Sequence, residues 1–170
     1  VGCGPIGGFA AAVLKREVKG PIVVADRNID RSATVAAATG ATVAPDDQTE
    51  LRSLSKRLDV RAAIDATGSI AALRATIDSL PGGGSLAIVG ISHGKLDLDP
   101  NKLVERELAL LGCHAFADEL PEAIAMLPSL APMLDQMIGQ EIQLKDVPGA
   151  YQALIEGRAP GLKTLIRISA

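Results

Sequence analysis

The sequence predicts an α/β fold, a doubly wound parallel sheet with helices on both faces. Three observations predict it. Short all-apolar runs such as Ile22-Val23-Val24-Ala25 alternate with helical patterns, as expected for strands covered on both sides. Hydrophobic residues make up 48% of the chain but aromatic residues only 2%, so the core must be built from Ala, Val, Ile and Leu. Gly2, Gly4 and Gly7 have the GxGxxG spacing, and Asp26 follows at the end of an apolar strand. A glycine loop, a helix, a strand and a terminal acid in that order form a dinucleotide-binding fingerprint.

The elements follow in order. A helix starts at Pro5, where a missing N–H costs nothing, and its apolar positions Ile6, Phe9, Ala10 and Val13 mark one buried face. Gly20-Pro21 ends it before a strand over 22–25. A second helix runs from Ile29 to Thr39 and stops at Gly40, and Ala41 to Val43 form a short strand. Pro45-Asp46-Asp47 turns into a helix from Gln48 to Arg57. Ala62 to Ile64 make the next strand, ending at Asp65-Ala66-Thr67-Gly68-Ser69. A helix carrying Ile70, Leu73, Ile77 and Leu80 on one face is broken by Pro81 and three glycines before the strand Ser85 to Val89.

After Gly90 a polar loop holds His93 and Gly94, and Asp99-Pro100 opens a short helix. Leu108 to Cys113 read as the sixth strand. Asp118 to Leu127 read as a helix with Leu120, Ile124 and Leu127 inward. Past Pro128 the pattern is weak until Asp146, which opens a helix carrying Val147, Ala150, Tyr151 and Leu154. Pro160-Gly161 turns it into a closing strand, Leu162 to Ile168. Paired βαβ halves imply a Rossmann-type strand order 3-2-1-4-5-6. The division expected is 1–127 as a nucleotide-binding domain and 128–170 as a helix-plus-strand tail. A glycine loop needs a strand feeding it and only Val1 is there to supply one, so the first strand is expected to be truncated and the chain to be a piece of a longer protein.

Composition narrows the partners. The formal net charge is −3, with no basic stripe and no aromatic platform, which argues against nucleic acid. No apolar run reaches membrane-spanning length and no charged-then-apolar signal segment is present, so no membrane role is expected and the cytoplasm is the default location. Cys3 and Cys113, with His93 and His114, are too few and too scattered for a zinc ligand set or a disulfide scaffold. Neither histidine is expected to be catalytic. Cys3 sits at a helix N-terminus, which could lower its thiol pKa, but a small packing residue is the favoured reading.

The remaining candidates form a cofactor site. Gly2 permits the tight turn, Gly4 lets backbone approach a pyrophosphate, and Gly7 allows close helix packing. The helix N-terminus offers N–H groups and a positive dipole end to the phosphates. Asp26 can accept both ribose hydroxyls and would repel a 2′-phosphate, which favours NAD over NADP, although Arg27 and Arg31 stand nearby. Thr67, Gly68 and Ser69, then Gly90, Ile91 and Ser92, follow consecutive strands at the end where ligands bind in open α/β sheets.

Taken in order, G-C-G-P-I-G, V-V-A-D-R, A-A-I-D-A-T-G-S, P-G-G-G-S-L-A-I-V-G and the tail D-V-P-G-A-Y-Q-A-L-I-E-G-R-A-P-G-L-K-T-L-I-R-I resemble the cofactor-binding half of the medium-chain dehydrogenase/reductases. Pro5-Ile6 resembles the zinc-type alcohol and polyol dehydrogenase branch rather than the zinc-free quinone reductases. The resemblance implies that Gly2, Gly4, Pro5, Ile6 and Gly7 hold pyrophosphate, and that Asp26 holds ribose with Arg27 and Arg31 beside the adenosine. It also implies that Thr67, Gly68, Gly90, Ile91 and Ser92 line the path to the nicotinamide. Zinc, the catalytic residues and the alcohol or ketone pocket would belong to a separate N-terminal domain of the parent, so the piece alone is expected to be inactive. The tail would in part join that domain, and the sixth strand would pair across a dimer or tetramer interface. Two alternatives remain at this point. An S-adenosylmethionine-dependent methyltransferase shares the G-C-G-P loop but usually has a glycine where Ile6 stands, and a non-catalytic NAD-sensing module would share the whole site.

Overall fold

The computed structural model describes residues 1–45, 47–114 and 118–168. It is an α/β structure in which every strand pairing is parallel. The elements are α1 (Pro5–Glu17), β1 (Val23–Val24), α2 (Ile29–Thr39), β2 (Thr42–Val43), α3 (Gln48–Arg57), β3 (Ala62–Asp65), α4 (Ile70–Ser79), β4 (Ser85–Ile88), α5 (Asn101–Arg106), β5 (Ala109–Gly112), α6 (Leu120–Leu134), β6 (Ile138–Gln143), α7 (Val147–Ile155) and β7 (Lys163–Arg167). Short 3-10 turns follow α6 and β6. Among the described residues β1 pairs with β2, β3 with β4 and β5, and β6 with β7. The turn expected at Pro45-Asp46-Asp47 falls partly on Asp46, outside the described residues.

Val1 and Gly2 stand between the first two groups of strands. The Val1 nitrogen donates to the Ile64 carbonyl at 2.7 Å. The Ala66 N–H donates to the Val1 carbonyl at 2.8 Å, and the Gly2 N–H to the Ala25 carbonyl at 2.7 Å. One residue pair therefore hydrogen-bonds to the ends of β1 and β3 together.

Local chemistry explains the helix starts. The Asn28 side chain accepts from the Asp30 and Arg31 N–H groups at the head of α2, and Asp47 accepts from Thr49 and Glu50 at the head of α3. Both side chains satisfy donors that a helix leaves unpaired. At the tail of α4 the Arg106 guanidinium donates to the Ile77 carbonyl at 3.2 Å and also to the Leu80 carbonyl, placing a cation on the negative end of that helix.

Two apolar clusters hold the layers together. In the first, Ala11 and Ala12 of α1, Val24, Val35 of α2, Leu130 of α6, Met137 and Leu162 are buried with Cys3. In the second, Leu73, Ile77 and Leu80 pack with Leu86 of β4 and Leu108. The stripe expected on α4 is thus the buried one, apart from half-buried Ile70.

Other expectations need correction. Ile6 is 60% exposed, because α1 buries Gly8, Ala11 and Ala12 and turns Ile6 outward. Leu120, Ile124 and Leu127 also face outward. The face of α6 that meets the core carries Met126, Leu130, Met133 and Leu134, about a quarter-turn away. That helix does not stop at Leu127 but runs through Pro128 and Pro132 to Leu134. Each proline removes one intrahelical donor, and both lie on the exposed side, where water can take the freed carbonyls. β6, in the stretch after Pro128, was not predicted at all. Tyr151 and Leu154 of α7 are exposed as well.

Candidate functional site

The glycine loop runs from Val1 into the head of α1. Gly2 has φ +87°, a left-handed conformation that favours glycine, and a Cβ there would lie 3.0 Å from Ala66 and Thr67. A Cβ on Gly7 would collide with the Gly2 carbonyl, so the first turn of α1 rests on its own loop. Gly7 was expected to serve helix-to-sheet packing; its nearest constraint is the loop itself. Gly4 is different. It caps α1 with φ −71°, and a Cβ on it would meet nothing within 4 Å. The fold does not require glycine at position 4.

Pro5 occupies the first turn of α1, and the Gly4 cap has no side chain to accept from the first-turn N–H groups. No acidic side chain stands in that turn either. The positive end of the helix is consequently open to an anion. Exposed Ile6 is on the same turn.

Asp26 stands beside the loop. One carboxylate oxygen accepts from the Cys3 N–H at 2.7 Å and the other from the Asn28 N–H at 2.8 Å. A carboxylate has about four lone-pair positions, so each oxygen retains one after these bonds. Cys3 is buried, its thiol directed at the Ala25 carbonyl at 3.6 Å. Burial pushes this thiol up to about 11, with the Asp26 charge adding to the effect. The helix N-terminus does not activate it, and packing is its role. Arg27 and Arg31 are exposed.

The second half of the site lies where β3 and β4 end. A Cβ on Gly68, which has φ +66°, would fall 2.7 Å from the Ile91 carbonyl, and one on Gly90 would collide with the Gly68 N–H. The two loops therefore interlock through glycines. Asp65 organises them: its carbonyl accepts from Val89 and Gly90, each at 2.9 Å, while its carboxylate accepts from the Thr67 N–H and hydroxyl at 3.1 and 2.6 Å. The Thr67 hydroxyl in turn accepts from the Ser69 N–H at 3.0 Å. The other Asp65 carboxylate oxygen and the Ser92 hydroxyl are buried with no hydrogen-bond partner. Buried polar atoms without partners are uncommon, and these two supply acceptor and donor capacity at that end. Ile91 is exposed, as are His93 and His114.

One contributor was missed. A cavity of about 190 Å³ is lined by Pro5 and Arg31 together with Pro160, Leu162, Lys163 and Thr164. It brings Lys163, at the start of β7, to the head of α1. The only sequence signal was the K-T-L-I-R-I of the tail, which the resemblance assigns in part to another domain rather than to the glycine loop, because the approach of β7 to α1 depends on tertiary packing through Leu162.

The whole arrangement has the α/β architecture of cofactor-binding domains in alcohol dehydrogenases. It superposes with TM-score 0.84 on a short chain alcohol dehydrogenase from Escherichia coli CFT073 complexed with the cofactor NADH, at 22% identity over 98% of this chain and 50% of that one. It superposes with TM-score 0.81 on 2R,3R-butanediol dehydrogenase from Bacillus subtilis, at 26% identity over 99% of this chain and 49% of that one.

The zinc-binding dehydrogenase family matches residues 5–129, and the chain belongs to that family. Its relatives include sorbitol dehydrogenase of Bacillus subtilis strain 168, 26% identical over 98% of this chain, and L-threonine 3-dehydrogenase of Shewanella frigidimarina, 29% identical over 93%. The chain spans about half the length of these curated relatives, 48% of each. They are oxidoreductases. Zinc, implied by the family, does not fit the described residues. No group of three or more His, Cys, Asp and Glu side chains among them could hold a metal ion. No described helix is long and apolar enough to cross a membrane.

Proposed function

We propose that this chain is the nicotinamide-dinucleotide-binding part of a zinc-type alcohol or polyol dehydrogenase, with NAD preferred over NADP. The observation that carries the reading is the uncapped head of α1 beside an open Gly4, with the Asp26 carboxylate fastened next to it. The pyrophosphate fits against the first turn of α1, where Gly2, Gly4, Pro5, Ile6 and Gly7 meet, and Arg31 and Lys163 add positive charge. The free lone pairs of Asp26 accept the adenosine ribose hydroxyls, and its charge repels a 2′-phosphate. Arg27 lies beside the adenosine. Thr67, Gly68, Gly90, Ile91 and Ser92 line the path to the nicotinamide.

When bound, the dinucleotide supplies the acceptor and donor of hydride. This chain's own work is to bind it, to orient the two halves on two rigid loop sets, and to hold the nicotinamide end with the Asp65-Thr67-Ser69 hydrogen-bond chain beneath. Alcohol or ketone substrate, zinc and the catalytic groups belong in this reading to another part of the parent protein, and the chain alone has no turnover. Residues 1–127 form the nucleotide-binding unit and 128–170 a tail shared with that other part. The exposed apolar residues of α7 and β7, Tyr151, Leu154, Ile155 and Ile166, suit such a contact. The edge of β5 that has no partner strand among the described residues, with Leu111 exposed, suits pairing between copies into a dimer or tetramer. A cytoplasmic location accords with this chemistry.

Calorimetric titration of the chain with NADH, NADPH and S-adenosylmethionine tests the reading. NADH is expected to bind most tightly. Binding of S-adenosylmethionine without NADH would replace it with a methyltransferase.

A further inference from the structure

We infer that Thr67 is a positioning residue, the junction that sets the glycine loop against the two loops at the nicotinamide end. Its β-carbon bears a hydroxyl and a methyl group, and the structure uses both internally. The hydroxyl donates to the Asp65 carboxylate at 2.6 Å and accepts from the Ser69 N–H at 3.0 Å. A hydroxyl has one donor proton, and here a fully buried carboxylate takes it. The methyl group faces a different loop. A Cβ placed on Gly2 would lie 3.0 Å from Thr67 Cγ2, so the methyl covers the Gly2 α-carbon. The backbone makes a third contact, since a Cβ on Gly90 would lie 2.9 Å from the Thr67 nitrogen. One residue thus meets Gly2 of the glycine loop and Gly90 beyond β4, and it bonds to Asp65, whose carbonyl holds the Gly90 N–H.

A β-branched side chain has few χ1 positions open to it. Hydroxyl and methyl are held here by different elements, so turning one displaces the other. Loss of the Asp65 bond is therefore carried to Gly2 through the methyl group. A local turn accounts for the hydroxyl bonds by themselves. It does not account for the contacts with glycines of two other loops. A ligand lying on one loop set alone would not register a change in their spacing, whereas one that spans both would. That last step rests on the dinucleotide reading; the coupling of the loops does not. For that reading the consequence is specific. Thr67 serves the path to the nicotinamide by placing it, with its hydroxyl proton already spent inside the protein.

The test removes each arm in turn. Thr67→Val keeps the shape and the methyl contact but deletes the hydroxyl, and Thr67→Ser keeps the hydroxyl but deletes the methyl. Amide hydrogen exchange in the nucleotide-free chain is read at Gly90 and at Cys3, which follows Gly2 and donates to Asp26. Thr67→Val is expected to speed exchange at both by about tenfold, with Leu73 and Leu86 of the second core cluster unchanged. Thr67→Ser is expected to speed Cys3 but keep Gly90 slow. Faster exchange at Ser69 alone would reduce the hydroxyl to a local turn and overturn the proposal. Equal acceleration at Leu73 and Leu86, which marks general loosening, would overturn it too, as would a Thr67→Ser chain that loses Gly90 protection. In titrations, Thr67→Val is expected to weaken NADH about tenfold, but ADP, which reaches only the glycine loop and Asp26, by less than about threefold. Equal weakening of both would make residue 67 a direct ligand contact and deny it the positioning role. Absence of NADH binding to the unsubstituted chain would sink the dinucleotide reading, and the exchange result would still decide the coupling.

Discussion

Glycines 4 and 7 are three residues apart and answer to different constraints. Gly7 is required by the loop it rests on, and Gly7→Ala is expected to cost about 3 kcal/mol of stability, since backbone rather than a flexible side chain must move. Gly4 has open space around its missing side chain. Gly4→Ala is expected to leave the denaturation midpoint almost unchanged while weakening NADH about tenfold, or about 1.4 kcal/mol. Paired denaturation and titration measurements check both. Asp26 accepts from the Cys3 and Asn28 N–H groups, and in the proposed reading it also takes the ribose. Asp26→Ala is therefore expected to weaken NADH and NADPH together, NADH more, whereas Asp26→Asn keeps an acceptor and chiefly narrows the preference. Equal losses for both nucleotides in both variants would deny Asp26 a selective role. At Cys3, burial holds the proton more tightly in the folded chain than in the unfolded one. The stability this contributes is intact below the unfolded thiol's range, about 8.5, and is lost as pH rises through about 11. The stability difference between the chain and Cys3→Ala is expected to shrink across that window. At neutral pH only exposed Cys113 should react with a thiol reagent.

Among the elements, those legible in the sequence are the ones whose signals are local. Pro5 and Asp47 mark helix starts by chemistry confined to one turn, and the stripe Leu73, Ile77, Leu80 marks the face of α4 without reference to anything else. The glycine spacing and Asp26 are local in the same sense, since they lie within one loop, helix and strand. What failed depends on partners distant in sequence. Ile6 fits the periodicity of α1, but that helix is held by small residues, Ala11 and Ala12, which leave the larger side chain outside. The outward face of α6 is as apolar as its inward face, so periodicity could not choose between Ile124 and Leu130. Pro128 and Pro132 concealed both the last turns of α6 and the approach to β6. Lys163 reaches the head of α1 only because Leu162 enters the first core cluster. Arg106 is another such long-range element: it joins α5 to the tail of α4 through two backbone carbonyls. Arg106→Ala is expected to cost about 2 kcal/mol, mostly by leaving charge-assisted bonds unmade. A change below about 0.5 kcal/mol in chemical denaturation would show that water replaces it fully.

At the scale of the molecule, two loop sets face one another across the ends of the strands. The head of α1 with Asp26 forms one, and the interlocked Thr67–Ser69 and Gly90–Ser92 segments form the other. Val1 and Gly2 tie them together through Ala25, Ile64 and Ala66. In each set glycines let backbone approach backbone, at Gly2 and Gly7 in one and at Gly68 and Gly90 in the other, and in the proposed reading a dinucleotide spans both. Amide chemical-shift mapping with NADH tests this most directly. The account predicts that Gly4, Ile6, Gly7 and Asn28 shift together with Gly68, Gly90 and Ser92, while Leu73 and Leu86 in the second core cluster do not. Shifts confined to the tail, or a glycine loop that responds to S-adenosylmethionine and not to NADH, would contradict it.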